Sequence, residues 1–264
     1  MIDGGPKRGQ TVHQLSDLTW RDVRALGSGD WVAILPSGSV EAHGPHLPLD
    51  TDGIIARAMA REGAERLALR DLDVVILPTL AYASAPFAQE FAGTVSVNPM
   101  AVTSILLDMA RAVGTRGAAV LAVANAHLDP MHLGCLHHVV EESRAAGLVP
   151  VVFPDLTKKP WALRLTEEFR SGAAHAGRYE TSVIMAERPD LVRDDVRQGL
   201  APNPASLSDA IREGKHSFEE AGGPDAYFGS PAEATAEEGR DTVSILGGIL
   251  EEAVMAVLDD GSAE

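Results

Sequence analysis

Residues 31–52 read WVAILPSGSVEAHGPHLPLDTD, and the stretch changes character at Pro36. Trp31–Pro36 is a short apolar run closed by proline, which reads as a buried strand. The sixteen residues that follow, Ser37–Asp52, carry Glu41, His43, His46, Asp50 and Asp52. A helical pattern then runs over Thr51–Leu69, with apolar residues at 54, 55, 58, 59 and 67.

The same alternation continues along the chain. Asp73–Leu80, Ala118–Ala124 and Leu148–Phe153 are further short apolar runs. Between and after them lie helical patterns over Pro99–Val113, Met131–Ala146 and Asp241–Leu258. Strands alternating with helices predict an α/β fold: a three-layer α/β/α arrangement with a mostly parallel central sheet covered on both faces. Ligands of such sheets bind at the carboxyl ends of the strands, so the residues just after each apolar run are where chemistry is expected. Residues 1–264 are read as a single domain. Residues 1–14 form a loose polar lead-in, and the Pro-, Gly- and Ser-rich stretch 202–233 is a surface excursion or flap.

Composition narrows the function. The chain has 22 basic and 38 acidic residues, a formal net charge of −16. That balance argues against nucleic acid, which needs clustered Lys and Arg for its phosphates. Apolar runs fall short of the ~18 residues a membrane span requires, and the first ten residues lack the apolar core of a signal peptide. The one cysteine, Cys135, lies in an apolar-periodic stretch and is read as packing. A cytoplasmic location is expected.

A polar loop that only caps a helix needs one short side chain, for which Asp50 or Thr51 suffices. Two imidazoles and three carboxylates exceed that need, and carboxylate with imidazole is the ligand set of Zn²⁺ and Mn²⁺ sites. A second cluster, His127 and Asp129, follows the run Ala118–Ala124. A third, His175 and Glu180, enters the apolar stretch Val183–Ala186.

In these segments the chain resembles the creatininase family of metal-dependent amidohydrolases. The pattern G-S/T-x-E-x-H-G-x-H-x-P-x-x-T/N-D is met by Gly38 through Asp52. The N-G-H segment appears as Asn125-Ala126-His127, F-x-G-T-x-S as Phe91 through Ser96, and H-x-G-x-x-E-T-S as His175 through Ser182. The resemblance implies two divalent ions per chain, Zn²⁺ or Mn²⁺ with Fe²⁺ as a third option. Glu41, His127 and Asp52 would hold one ion. His43, the bridging Asp52 and a further carboxylate would hold the other, with Glu180 preferred and Asp129 the alternative. A hydroxide between the ions would attack, and His175 would carry the proton to the leaving nitrogen.

The implied activity is hydrolysis of an amide, cyclic amide or formamide C–N bond in a small molecule. Related branches act on a formamide of a pyrimidine intermediate or on the terminal peptide bond of a redox-cofactor precursor. Departures from the family pattern argue against creatinine as substrate: Asp129 stands where a glutamate is usual, and Ser171 where a tryptophan closes over creatinine. Arg178 is a candidate for a substrate carboxylate or phosphate, and Trp161, with Lys158 and Lys159, for a pocket wall. Two rival readings are a ring-opening C–C hydrolase or lyase, motivated by Asp129, and a non-catalytic binding protein. Family members are commonly homo-oligomers, often hexamers, and the same is expected here.

Overall fold

Alternate residues of the central strand face opposite sides, and each side has its own core. In the computed structural model, which describes residues 11–27 and 31–261, Val32 and Ile34 enter one apolar cluster, while Trp31, Ala33 and Leu35 enter the other. The elements in chain order are β1 (Val12–Gln14), α1 (Trp20–Ala25), β2 (Trp31–Ser37), α2 (Thr51–Ala68), β3 (Asp73–Ile76), α3 (Pro99–Gly114), β4 (Ala118–Asn125), α4 (Pro130–Ala145), β5 (Val151–Val152), α5 (Glu167–Ser171), α6 (Arg178–Glu187), α7 (Asp194–Arg197), α8 (Leu207–Arg212) and α9 (Ala236–Gly261). Strand order is β1-β3-β2-β4-β5, and all the pairings are parallel. Helices α2, α6 and α9 cover one face and α3 and α4 the other, so the chain is an α/β protein with a parallel five-stranded sheet between helical layers.

The order of the strands creates the site. The chain steps from β2 to β3 on one side, then passes back over β2 to β4 on the other. The intervening helices α2 and α3 lie on opposite faces. A crevice opens at the carboxyl ends of adjacent strands where connections diverge in this way. Here those strands are β2 and β4, which run into the loops bearing Glu41 and His127.

Several helix starts carry their own signals. Asn98 caps α3 through Met100 N–H with Pro99 in the first turn, and Asp129 caps α4 through Met131 N–H with Pro130 in the same place. Among the described residues, no helix is long and apolar enough to cross a membrane.

Some boundaries differ from the sequence expectation. Residues 1–10 lie outside the described residues, and Val12–Gln14 are not loose but form edge strand β1 against β3. The run Leu148–Phe153 pairs only at Val151–Val152. Asp73–Leu80 leaves the ladder after Ile76, with Leu80 returning to bridge Ser37. Residues 202–233 are a packed cover. Phe218 and Phe228 bury against Phe87 in a third apolar cluster, and Asn203 bridges Gly229.

Candidate metal centre

Backbone geometry first brings the β2 loop back over the start of α2. Gly38 makes this approach possible, since a Cβ there would lie 2.7 Å from the Asp52 backbone carbon and Cβ. Ser39 N–H then donates to Asp52 Oδ2 at 3.1 Å. Gly44 turns the loop with φ +65° and ties it to the cover through Ala226 O. The segment around Phe91–Ser96 braces the same loop: Val95 N–H donates to Val40 O, and Ala42 N–H to Thr94 Oγ1.

Three imidazoles converge on this loop, and each is aimed in the same way. His43 donates Nδ1–H to Glu41 O at 3.1 Å, His127 donates Nε2–H to Ser84 O at 2.9 Å, and His175 donates Nε2–H to Ala42 O at 2.9 Å. A carbonyl accepts only, so the nitrogen facing it carries a proton, and each ring's other nitrogen is the one turned inward, a ligand atom whenever the ring is neutral. His127 Nδ1 lies 3.0 Å from Asp52 Oδ2 and 3.3 Å from Glu41 Oε1. His43 Nε2 lies 3.1 Å from Asp52 Oδ1 and 3.6 Å from Glu180 Oε2. His175 Nδ1 stands 3.9 Å from Glu41 Oε1.

Glu41, Asp52 and His127 form one group of ligand atoms lying within 4.8 Å of one another, and His43, Asp52 and Glu180 form a second. Asp52 belongs to both. A third combination, Glu41, His43 and His175, overlaps them. Glu41, Asp52 and Glu180 are at most 3% exposed. Among the described residues, imidazoles are the only cationic partners these carboxylates have. Three buried carboxylates without a fixed cation are costly, and divalent cations remove that cost. The donor set therefore fits hard or borderline metals.

Protonation follows the same logic. Burial alone would depress His43, but the charges of Asp52, Glu180 and Glu41 hold it at about 10. Burial likewise disfavours the charged form of His127, yet Glu41 and Asp52 raise it well above the usual histidine value. Asp52 is held below the carboxylate range, because His43 and His127 outweigh its burial. Glu180 is raised by burial. His175 is pushed well below its ordinary value, first by burial and then by His43, so it rests neutral with Nδ1 bare.

Neighbouring groups fix the ligands. Asn125, at the end of β4, donates to His127 O at 2.7 Å and faces His132 Nε2 at 3.0 Å. Among the described residues, His46 makes no hydrogen bond to a candidate ligand. Its Nε2 meets Thr181 Oγ1 at 2.9 Å, beside Glu180. Phe218, from the cover, stacks on His175 with ring centroids 4.2 Å apart. No sequence signal marks Phe218, which lies about forty residues past His175 in a stretch without regular periodicity.

Two expected residues lie off the cavity lining, and a third, Asp129, lines it without joining the ligand groups. Asp129 enters none of the converging groups found among the described residues. Its Oδ1 caps Met131 N–H at 2.8 Å and its Oδ2 lies 3.4 Å from Phe87 N–H. A carboxylate one methylene shorter than glutamate stays with the helix start. Arg178 points away from the centre and pairs with Glu238 and Glu233 at 3.2 and 3.4 Å. Residues two apart on a helix sit on opposite sides, so turning Glu180 inward turns Arg178 outward. Trp161 packs against the main core, while its neighbours Lys158 and Ala162 line the cavity. Ser171 does line the cavity, with its hydroxyl bonded to Glu168 O.

That cavity, about 610 Å³, has Glu41, Asp52, His127 and Glu180 at its floor. The model of the family described as creatinine amidohydrolase matches residues 16–254. The chain belongs to the creatininase family. It is 36% identical over 218 residues to the mycofactocin precursor peptide peptidase of Mycobacterium tuberculosis, covering 78% of both chains. To the creatinine amidohydrolase of Pseudomonas putida it is 28% identical over 194 residues, covering 67% of this chain and 73% of that one. The solved manganese form of a creatininase shares the fold with a TM-score of 0.70, over 92% of this chain and 98% of that one at 23% identity. This creatininase-family chain is a hydrolase acting on C–N bonds.

Proposed function

We propose that this family member is a dinuclear metal-dependent amidohydrolase that cleaves a peptide C–N bond in a short peptide, not the ring amide of creatinine. The observation that carries the dinuclear reading is the pair of buried triads sharing Asp52. Glu41, Asp52 and His127 would hold one divalent ion, and His43, Asp52 and Glu180 the other. Bound there, such ions supply Lewis acidity and an activated water.

The chain's own residues do the rest. His175 presents bare Nδ1 toward the cluster and is kept neutral, so it can take the proton of the attacking water and hand it to the departing nitrogen. The Ala42 carbonyl fixes its tautomer and Phe218 fixes its ring plane. Phe87 and Phe218 line the same cavity and lay apolar surface beside His175.

Two observations favour a peptide. The more similar relatives are named mycofactocin precursor peptide peptidases. The cavity lies within the size range of sites that take drug-sized ligands, about 300–1,000 Å³. Asp129, the residue behind the C–C reading, caps α4 at the cavity wall and stays out of the ligand groups, which favours the amide reading. The test is to load the protein with Mn²⁺ or Zn²⁺ and incubate it with a mycofactocin precursor peptide and, separately, with creatinine. Mass spectrometry should find the peptide shortened by hydrolysis and creatinine intact. Turnover of creatinine alone would contradict the proposal.

A further inference from the structure

The floor of the cavity is acidic and its rim is not. His137, Lys158, Arg170 and Arg212 all line the outer part, in a chain whose formal charge is −16. The acids bonded to them are engaged. Asp155 accepts from His137 Nε2–H at 2.9 Å and from Thr157 N–H and hydroxyl at 3.0 and 2.6 Å. Asp209 pairs with Arg212 at 2.7 Å. For Lys158 and Arg170, no side-chain hydrogen bond or ion pair is found among the described residues, although Arg57, Arg61, Arg66 and Arg70 on the outer surface are each paired. Lys158 and Arg170 therefore stand at the cavity lining with their charges unpaired among the described residues.

His137 adds direction. Asp155 is buried and accepts from Nε2–H, so the ring, steadied edge-on by Phe153 at 4.9 Å, offers Nδ1 as an acceptor in its neutral form. A backbone N–H is its natural complement, and a carboxylate is the complement of the lysine and arginine.

We propose that this rim is a recognition subsite for a carboxylate of the substrate, with Lys158 and Arg170 taking the anion and His137 accepting an adjoining peptide N–H. The inference rests on the peptide-hydrolase reading and deepens it. The substrate's scissile carbonyl sits over the acidic floor while its carboxylate is held at the rim. The subsite also offsets locally the repulsion that an acidic protein exerts on an anionic substrate. The carboxylate has two sources, the peptide's own C-terminus or an acidic side chain.

Binding tests the subsite independently of turnover. Calorimetry on the metal-loaded protein compares an acetylated dipeptide as free acid, as C-terminal amide, and as an amide with glutamate in last place. The free acid should bind about tenfold more tightly than the plain amide, the worth of one charge-assisted contact, and Lys158→Gln with Arg170→Gln should erase that difference while metal content is unchanged. Recovery of affinity in the glutamate amide would assign the site to a side-chain carboxylate. Equal affinity of acid and amide in the wild type would overturn the proposal. So would a preference that survives both substitutions, since that carboxylate would be on the metals. Failure of every peptide to be hydrolysed, with the acid preference intact, would instead count against the peptidase reading alone.

Discussion

At the scale of single residues, the centre is built by hydrogen bonds that dictate which atom of each side chain is free. The carbonyls of Glu41, Ser84 and Ala42 fix three imidazoles, and none of those contacts can be read from the order of residue types. Metal uptake should be coupled to protons. His43, held at about 10, is protonated at pH 7 in the empty centre and must become neutral to serve as a ligand. Uptake therefore releases protons, and apparent affinity should rise between pH 6 and pH 8, by about tenfold per unit for each proton released. Calorimetry in two buffers of different ionisation enthalpy reads the release directly; a pH-independent affinity would refute it. Phe218→Ala should lower kcat by about tenfold, through a less well-placed His175. Its metal content, measured by atomic emission, should be unchanged. Five proposed ligands and His175 were legible in the sequence because the family motifs carry them in order. Arg178 was not, because a sequence does not reveal which side of a helix faces inward until one residue on it is anchored.

At the scale of elements, two strand ends and one helix start determine the site. The loop from β2 passes so close to the first turn of α2 that Gly38 has no room for a methyl group. Gly38→Ala should part the loop from Asp52, costing about 1–3 kcal/mol of stability by overpacking and weakening both proposed metal positions together. Denaturant titration with parallel metal analysis checks this, and unaltered metal binding would show that the approach is not needed. The elements themselves were well marked in the sequence: apolar runs gave β2 and β4, and helical spacing gave α2, α3 and α4 within a residue or two. The cover 202–233 was marked only as rich in Pro, Gly and Ser. Its order comes from burial of Phe218 and Phe228 against a distant partner, Phe87, and long-range contacts of that kind leave no local periodicity.

At the scale of the whole molecule, the crossing from β3 over β2 to β4 brings the loops bearing Glu41 and His127 together, and α6 adds Glu180, nearly 140 positions beyond Glu41, to the same buried cluster. Three carboxylates concentrated there work against the stability of the empty protein, and the bound ions should offset this. With free metal at about a hundred times its Kd, the stabilisation is about 2.7 kcal/mol for one site, which for a chain of this size is about 5–10 °C in Tm. Differential scanning fluorimetry with and without chelator should show that shift, and equal melting temperatures would count against a metal centre. The most direct test of the central claim is metal stoichiometry after equilibrium dialysis against Mn²⁺ or Zn²⁺, on wild type, Glu180→Gln and Asp52→Asn. Two shared-ligand sites predict close to two ions per wild-type chain, about one for Glu180→Gln, and fewer than one for Asp52→Asn. A wild-type chain that binds one ion or none, or an Asp52→Asn chain that still holds two, would contradict the account.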